Sequence, residues 1–163
     1  MIPVFFTSST GNSETAAKKI AKELGSAQIF DLAKVGVDEI KKYDKMIIGS
    51  STWGEGELQD DFEEIWDKFA DIDFTGKVIA LFGLGDQDGY SYNYCDAMGL
   101  IYNQVVQNGG NVVGSYFDAD YEFEESIAFK NGKFVGLPLD EDNQSKLTDS
   151  RIKTWCEEIK ESF

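Results

Sequence analysis

Short apolar runs alternate along this chain with segments of helical periodicity, and this alternation constrains the fold more than any other feature. The runs are continuous, which is typical of strands buried on both faces of a parallel sheet. Four lie at 2–6, 46–48, 78–82 and 112–117, and a weaker one lies at 28–32. Between and after them, apolar residues recur every three or four positions at 16–24, 62–69, 98–105 and 152–163. We interpret the aromatic residues of these helices as core.

Strands that alternate with helices indicate βαβ units, and therefore an α/β three-layer sandwich with a parallel sheet between helices. Five strands fit the common order 2-1-3-4-5. The polar and aromatic stretch 118–134, with its Asn131-Gly132 turn signal, breaks the rhythm. It is interpreted as an insertion in the last strand, which resumes at 134–139. The length predicts one domain, 1–163.

Composition excludes several classes of function. The chain has 30 acidic and 15 basic residues and a net charge of −15, which argues against binding to nucleic acid or to an anionic membrane. It has no His, which removes His-based triads, His general bases and almost every zinc site. Cys95 and Cys156 are far apart in the sequence and are predicted to be buried thiols.

No targeting or membrane segment is expected. A strand is predicted almost from the first residue, without a basic leader, and no apolar run approaches the roughly 20 residues of a membrane span. The sequence therefore predicts a cytoplasmic protein without membrane insertion.

In such a sheet, ligands bind outside the carboxyl ends of the strands, near the point where the strand order reverses. Three loops follow strands that end at this point. We call them the first (7–13), second (50–60) and third (83–93) loops. The first has five hydroxyl residues among seven and leads into a helix, whose free N–H groups favour phosphate. Helix capping needs only one such side chain and is the alternative. The candidate phosphate ligands are Ser8, Ser9, Thr10, Gly11, Asn12 and Ser13.

The second loop places a Trp between small and acidic residues. Trp53 is either an aromatic lid over a flat ligand or a residue packed on the surface. Gly54 and Gly56 allow positive φ and close backbone approach. The candidate ligands here are Ser51, Thr52, Trp53, Gly54, Glu55 and Gly56.

The third loop is rich in Gly and acids and carries two Tyr. It is either an ordinary loop or a second aromatic wall facing Trp53, with Asp86 and backbone groups bonding polar ring atoms. The candidates are Leu84, Gly85, Asp86 and Tyr90. Together the three loops describe a flat, polar-edged ring between two aromatic side chains with a phosphate tail, which fits flavin mononucleotide (FMN).

These motifs in series resemble the flavodoxin family, long-chain type, over essentially the whole sequence. Residues 8–13 resemble the family's Thr/Ser-x-Thr-Gly-x-Thr phosphate loop, with Ser at its first and last positions. Thr52-Trp53 with the following Gly-Glu-Leu-Gln, and Gly85-Asp86-Gln87 with Gly89-Tyr90, match the two ring-binding loops. The insertion and residues 131–144 resemble the long-chain hallmark. The resemblance makes Tyr90 the stacking Tyr and places Asn93, Cys95 and Asp96 at positions that line the ring or ribityl region in relatives.

The resemblance implies a flavodoxin-like fold and a non-covalent FMN protein that carries single electrons and is not an enzyme. It would work at low potential, between the semiquinone and the hydroquinone. No Lys or Arg occurs in the three loops, so nothing local neutralises a reduced flavin. Relatives turn over a peptide at Gly54-Glu55 on reduction, where long-chain members often carry Asn. Gly54→Ala is therefore predicted to lower the semiquinone yield.

An acidic cluster borders the proposed flavin edge: Glu55, Glu57, Asp60, Asp61, Glu63, Glu64 and Asp67. It is either a solvated helix face or a docking surface for basic partners, which long-range attraction would guide. The resemblance implies a monomer with redox partners such as ferredoxin-type NADP reductase, and with pyruvate oxidoreductase, nitrogenase or photosystem I as alternatives.

Three other functions fit less well. A quinone or nitro reductase needs a substrate pocket over the ring, which Trp53 and Tyr90 would close. A ribonucleotide reductase activator of this fold is usually shorter, without the insertion. A receiver domain needs acids after the first strand, where this chain has Thr and Ser. The stretch Asp118-x-Asp120-x-Glu122 lacks the Gly of a calcium loop and is interpreted as surface.

Overall fold

A computed structural model describes residues 1–26 and 28–163. The strands are β1 Val4–Phe6, β2 Ile29–Asp31, β3 Lys45–Trp53, β4 Glu57–Leu58, β5 Val78–Leu84, β6 Asn111–Val113, β7 Phe129–Lys130, β8 Lys133–Phe134 and β9 Leu137–Leu139. The helices are α1 Asn12–Leu24, α2 Leu32–Val35, α3 Asp60–Ala70, α4 Asp96–Gln107 and α5 Thr148–Ile159. Short 3-10 turns lie at Val37–Lys42 and Ser145–Leu147.

The main sheet is parallel and has the order β2-β1-β3-β5-β6. The first half of β5 pairs with β6, and its last residues, Phe82–Leu84, pair with β9. Strands β6 and β9 are thus two pieces of one fifth strand, separated by the insertion. The predicted order 2-1-3-4-5 and the interrupted last strand are both confirmed.

The insertion begins earlier than predicted. The apolar run 112–117 was expected to be one strand, but β6 ends at Val113. Gly114 then turns with φ +83°, and its carbonyl accepts a hydrogen bond of 2.7 Å from Trp155 Nε1. Tyr116 leaves the sheet and pairs with Phe134 instead. The insertion therefore spans 114–136 rather than 118–134, because a positive-φ glycine redirects an apolar run.

The insertion folds back on itself and is fixed to α5. Its strands β7 and β8 form a hairpin across the predicted Asn131-Gly132 turn, where both φ values are positive. Arg151 on α5 donates to both oxygens of Asp118, at 2.9 and 3.2 Å, and lies 3.9 Å from the centre of the Tyr121 ring. Burial alone would raise the pKa of Asp118, but the Arg151 guanidinium lowers it below its usual range.

Helices cover the sheet, with α1 packed against α5 and α2 against α3. The strands contribute fully buried residues such as Phe5, Ile48 and Ile79 to the core. Cys95 and Cys156 are free and buried, as predicted. Within the described ranges, no helix has the length and apolar character required to cross a membrane.

Candidate functional site

The carboxyl ends of β1, β3 and β5 open into one cleft of about 290 Å³, close to the lower limit of about 300 Å³ for ligand pockets. Ten predicted site residues line it: Thr10, Asn12, Ser51, Thr52, Trp53, Gly54, Leu84, Gly85, Asp86 and Tyr90. The three loops thus meet at the switch point of the sheet, where the topology predicts a ligand.

The first loop is built to receive an anion. Gly11 precedes α1 with φ +92°, and no side chain among the described residues caps this helix. The Ser8 hydroxyl accepts the Gly11 N–H at 2.9 Å, which curls the loop over the helix start. The Ser13 hydroxyl is buried without a hydrogen-bond partner in the described part of the chain. Helix capping does not explain the hydroxyls of this loop, since none of them caps α1. A bound anion would accept hydrogen bonds from the Ser13 hydroxyl and from the free N–H groups at the start of α1.

A buried glutamine fixes the first loop to the second. Gln59 is 1% exposed, and its Nε2 donates to the Ser9 hydroxyl at 2.7 Å. Its Oε1 accepts the N–H of Phe62 at 3.3 Å and so caps α3. The sequence analysis includes Gln59 in the Gly-Glu-Leu-Gln motif but does not predict this contact, because Ser9 lies 50 positions away.

The second loop ends β3 in a tight turn. Trp53 is 41% exposed and donates from Nε1 to the Ser51 hydroxyl at 2.8 Å. β4 turns back against the end of β3, which leaves only residues 54–56 in the turn. Gly54 and Gly56 have φ +51° and +92°, values that favour glycine. An aromatic face thus stands beside the cleft, next to a flexible turn.

The third loop is organised by the Asp86 carboxylate. Its Oδ1 accepts the N–H groups of Asp88 and Gly89 and the Asn143 side-chain amide, the last two at 2.7 Å. Partial burial opposes ionisation, but these hydrogen bonds lower the pKa of Asp86 below its usual range. Tyr90, 48% exposed, follows on this loop and forms the second aromatic wall.

The remaining predicted residues lie near the cleft without lining it: Ser8, Ser9, Gly11, Ser13, Glu55, Gly56, Asn93 and Cys95. Cys95 has φ +53° and is fully buried, with its sulfur behind Gly85. Burial raises the pKa of this thiol far above its usual range, so it is inert. These residues support the loops or close the back of the site.

Two further acidic residues, Glu141 and Asp142, line the cleft and were not predicted. They follow β9, the second half of the split strand, so the sheet brings them beside β5. The buried Asp140 anchors this segment by accepting the N–H groups of Gln87, Asp142 and Asn143 at 3.0–3.1 Å. Burial and then the charges of Asp86 and Asp140 raise the pKa of Asp142.

In the described part of the chain, the cleft is lined by acids and neutral groups and by no Lys or Arg. Fold and site together define an open α/β protein with a cleft at its switch point, a hydroxyl-rich loop at one end and an aromatic side chain on each of the other two loops.

Comparison with known proteins specifies the family. The flavodoxin family profile matches residues 4–155. A flavodoxin of Synechocystis is 49% identical over 162 residues, 98% of this chain and 95% of that protein. Flavodoxin 1 of Escherichia coli is 41% identical over 98% of this chain and 93% of that one. The chain belongs to the flavodoxin family, and its resemblance to the long-chain type is confirmed.

A solved structure agrees with this membership. The crystal structure of Fusobacterium nucleatum flavodoxin bound to flavin mononucleotide superposes with a TM-score of 0.92 at 36% identity. The match covers 99% of this chain and 98% of that one.

Proposed function

We propose that this protein binds FMN non-covalently and carries single electrons at low potential between redox enzymes, without being an enzyme itself. The observation that carries the proposal is a cleft that no described Lys or Arg lines, with an aromatic wall on each of two loops. Near its phosphate end, the buried Ser13 hydroxyl has no hydrogen-bond partner among the described residues. The Fusobacterium relative bound to FMN supports the choice of cofactor.

The first loop fits the phosphate of FMN. Thr10 and Asn12 line the cleft, and the buried Ser13 hydroxyl has no partner among the described residues. The start of α1 adds N–H groups and the positive end of the helix dipole. These are neutral donors, so they would hold the phosphate and leave its charge uncompensated.

The second and third loops fit the flavin ring. Trp53 and Tyr90 would enclose it and exclude water, and Gly54, Leu84 and Gly85 present backbone groups at the cleft. The bound group supplies the one-electron chemistry. The chain's own part is to orient the ring, shield its faces and leave an edge open to partners.

The charges around the cleft favour a low reduction potential. Asp86, Glu141 and Asp142 line it, and no basic side chain in the described part of the chain does so. One like charge about 10 Å away, at an effective dielectric of about 20, opposes an added negative charge by roughly 1.7 kcal/mol. For one electron this corresponds to about 70 mV. Several carboxylates therefore favour a strongly reducing carrier.

The acidic cluster supports docking of basic redox partners, such as ferredoxin-type NADP reductase, pyruvate oxidoreductase, nitrogenase or photosystem I. Six of its seven carboxylate residues are exposed, and none forms an ion pair with another described residue. Their charge is therefore available to attract a partner. We further propose that the carrier acts as a monomer in the cytoplasm, in keeping with its two free thiols.

Titration of the apoprotein with FMN tests the cofactor. We expect one equivalent to bind with strong quenching of flavin fluorescence, and the yellow complex to be reduced in two one-electron steps without NADPH oxidase activity. Trp53→Ala and Tyr90→Ala should each weaken binding, because each removes one face of the site. A wild-type apoprotein that leaves added FMN free would contradict the proposal.

Charge reversal tests the docking surface. Electron transfer to a basic reductase should slow in a Glu63→Lys, Glu64→Lys variant and should lose much of its dependence on salt. Glu157→Lys, on the exposed side of α5, is the matched control and should leave both unchanged. Wild-type rates that do not vary with ionic strength would remove the docking role of the cluster.

A further inference from the structure

A buried carboxylate that does not line the cleft joins the segments that surround it. Asp96 is the first residue of α4 and is only 5% exposed. It forms no ion pair with any other described residue. A buried, unpaired carboxylate is costly, so its hydrogen bonds must offset that cost.

Each oxygen of Asp96 accepts a hydrogen bond from a different segment. Oδ2 accepts from the Asn93 side-chain amide at 3.1 Å, which ties the residue to the third loop. Oδ1 accepts the backbone N–H of Ile127 at 2.9 Å, which ties it to the insertion. Hydrogen bonds to a charged acceptor are stronger than neutral ones, and the start of a helix favours a negative charge.

The second loop rests on the same carboxylate. A Cβ added to Gly56 would lie 2.6 Å from Asp96 Oδ2 and 3.2 Å from the Asn93 amide nitrogen. The backbone of the turn therefore lies directly against Asp96. Beside this contact, the Ala97 N–H donates to the Thr52 hydroxyl at 2.9 Å. The start of α4 thus holds the turn that carries Trp53.

We propose that Asp96 is a positioning residue, which sets the place of the Gly54–Gly56 turn relative to the Tyr90 loop and couples both to the insertion. This inference rests on the proposed FMN function. Asp96 contacts the turn, the third loop and the insertion at once, so it fixes the spacing of the two aromatic walls. Its removal should widen and loosen the flavin site although it does not line the cleft.

The test compares Asp96→Ala with Asp96→Asn in the full-length protein. We expect Asp96→Ala to raise the Kd for FMN about tenfold, which is about one charged hydrogen bond. It should also shift the first reduction potential and speed hydrogen exchange in the turn and at Ile127. Asp96→Asn should largely restore all three, because its amide oxygen can accept from Ile127 while its NH₂ donates to a rotated Asn93 amide.

Asp73→Ala is the matched control. The Asp73 carboxylate accepts the Thr75 N–H at 2.9 Å in the loop before β5, at the opposite end of the sheet. This variant should lower stability without changing the Kd or either potential. If Asp96→Asn shifts the Kd and the potentials as much as Asp96→Ala does, the negative charge of Asp96, and not its hydrogen bonds, determines FMN binding. In that case the proposal is overturned.

A double variant keeps the proposal testable if Asp96→Ala folds poorly. Gly56→Ala alone should weaken FMN binding strongly, because the new methyl meets the carboxylate. In an Asp96→Ser background the same change should cost less, since the smaller side chain leaves room. If Gly56→Ala weakens FMN binding equally in the wild-type and Asp96→Ser backgrounds, Asp96 does not hold the turn and the proposal is overturned. If the wild-type protein has no affinity for FMN, the proposed function is overturned instead. If the wild type binds FMN and Asp96→Ala has the same Kd and potentials, only the inference about Asp96 is overturned.

Discussion

The two aromatic walls of the cleft are held in different ways. Trp53 is the last residue of β3 and pairs with Glu57 of β4, directly before the three-residue turn 54–56. Tyr90 belongs to a loop tied to distant segments, since the Ser91 carbonyl accepts two N–H groups from the insertion. The buried Asp140 accepts the N–H of Gln87 in the same loop. The glycine turn after Trp53 can therefore change its backbone at low cost, while the Tyr90 loop is held by hydrogen bonds to distant segments.

This difference suggests a division of labour within the site. We expect the Tyr90 loop to keep the flavin ring in place and the glycine turn to adjust when the charge of the cofactor changes. The glycines lie in the flexible turn, where their positive φ values are needed. The buried hydrogen bonds lie behind the Tyr90 loop.

The largest expected effect is on the Tyr90 loop. Asp140→Ala would leave the buried N–H of Gln87 and the partly buried N–H groups of Asp142 and Asn143 without their acceptor. We expect the free energy of unfolding to fall by about 3 kcal/mol, measured by urea denaturation of the apoprotein. A loss well under 1 kcal/mol would show that the wall is not held by this residue.

Next in size is Gly54→Ala in the flexible turn. A left-handed residue other than glycine costs about 1 kcal/mol, and the new Cβ would lie 3.2 Å from the Glu57 carboxylate. Because the predicted turnover on reduction changes the backbone here, this cost falls unequally on the two redox states, and the first potential of bound FMN should shift by up to about 40 mV. Gly25→Ala is the control: it has φ +67°, with nothing within 4 Å of an added Cβ. Gly25→Ala should lower stability without changing the potential. If Gly54→Ala and Gly25→Ala have equal potentials, the turn does not change on reduction and the prediction is wrong.

A smaller effect is expected in the acid range. The pKa of Asp86 is lowered in the folded protein, so its carboxylate stabilises the fold above its unfolded pKa, about 3.9. That contribution is lost as the pH falls through the folded pKa. The unfolding free energy of Asp86→Asn should therefore vary less between about pH 5 and pH 3 than that of the wild type. The pKa of Asp142 is raised, so Asp142→Asn measures how much this second carboxylate contributes to the pH dependence. Parallel plots of unfolding free energy against pH for the wild type and Asp86→Asn would contradict the prediction.

The smallest effect is expected at Glu55, the exposed residue at the centre of the flexible turn. Glu55→Ala removes no described hydrogen bond, so the unfolding free energy should change by less than about 0.5 kcal/mol. Urea denaturation of Glu55→Ala and Asp140→Ala under the same conditions compares the two losses of unfolding free energy directly. A loss comparable with that of Asp140→Ala would abolish the distinction between the two walls.

The sequence predicted the strand order and most of the cleft, because both depend on local signals. Buried strands show as continuous apolar runs, and loops such as the one around Trp53 follow directly from strand ends. The end of β6 was missed, since the run 112–117 gives no sign that Tyr116 pairs with Phe134. Glu141 and Asp142 were missed as cleft residues because only long-range pairing of β9 with β5 brings them there.

The cation-free first loop has a consequence for how this carrier responds to ionic strength. An anionic ligand meets no Lys or Arg there, and a chain of charge −15 opposes its short-range attraction to the start of α1 by repulsion at long range. Dissolved ions weaken that repulsion, and they equally weaken the attraction between an acidic surface and a basic partner. Rising salt should thus weaken the docking of a basic partner, and by screening the long-range repulsion it should favour retention of the anionic cofactor.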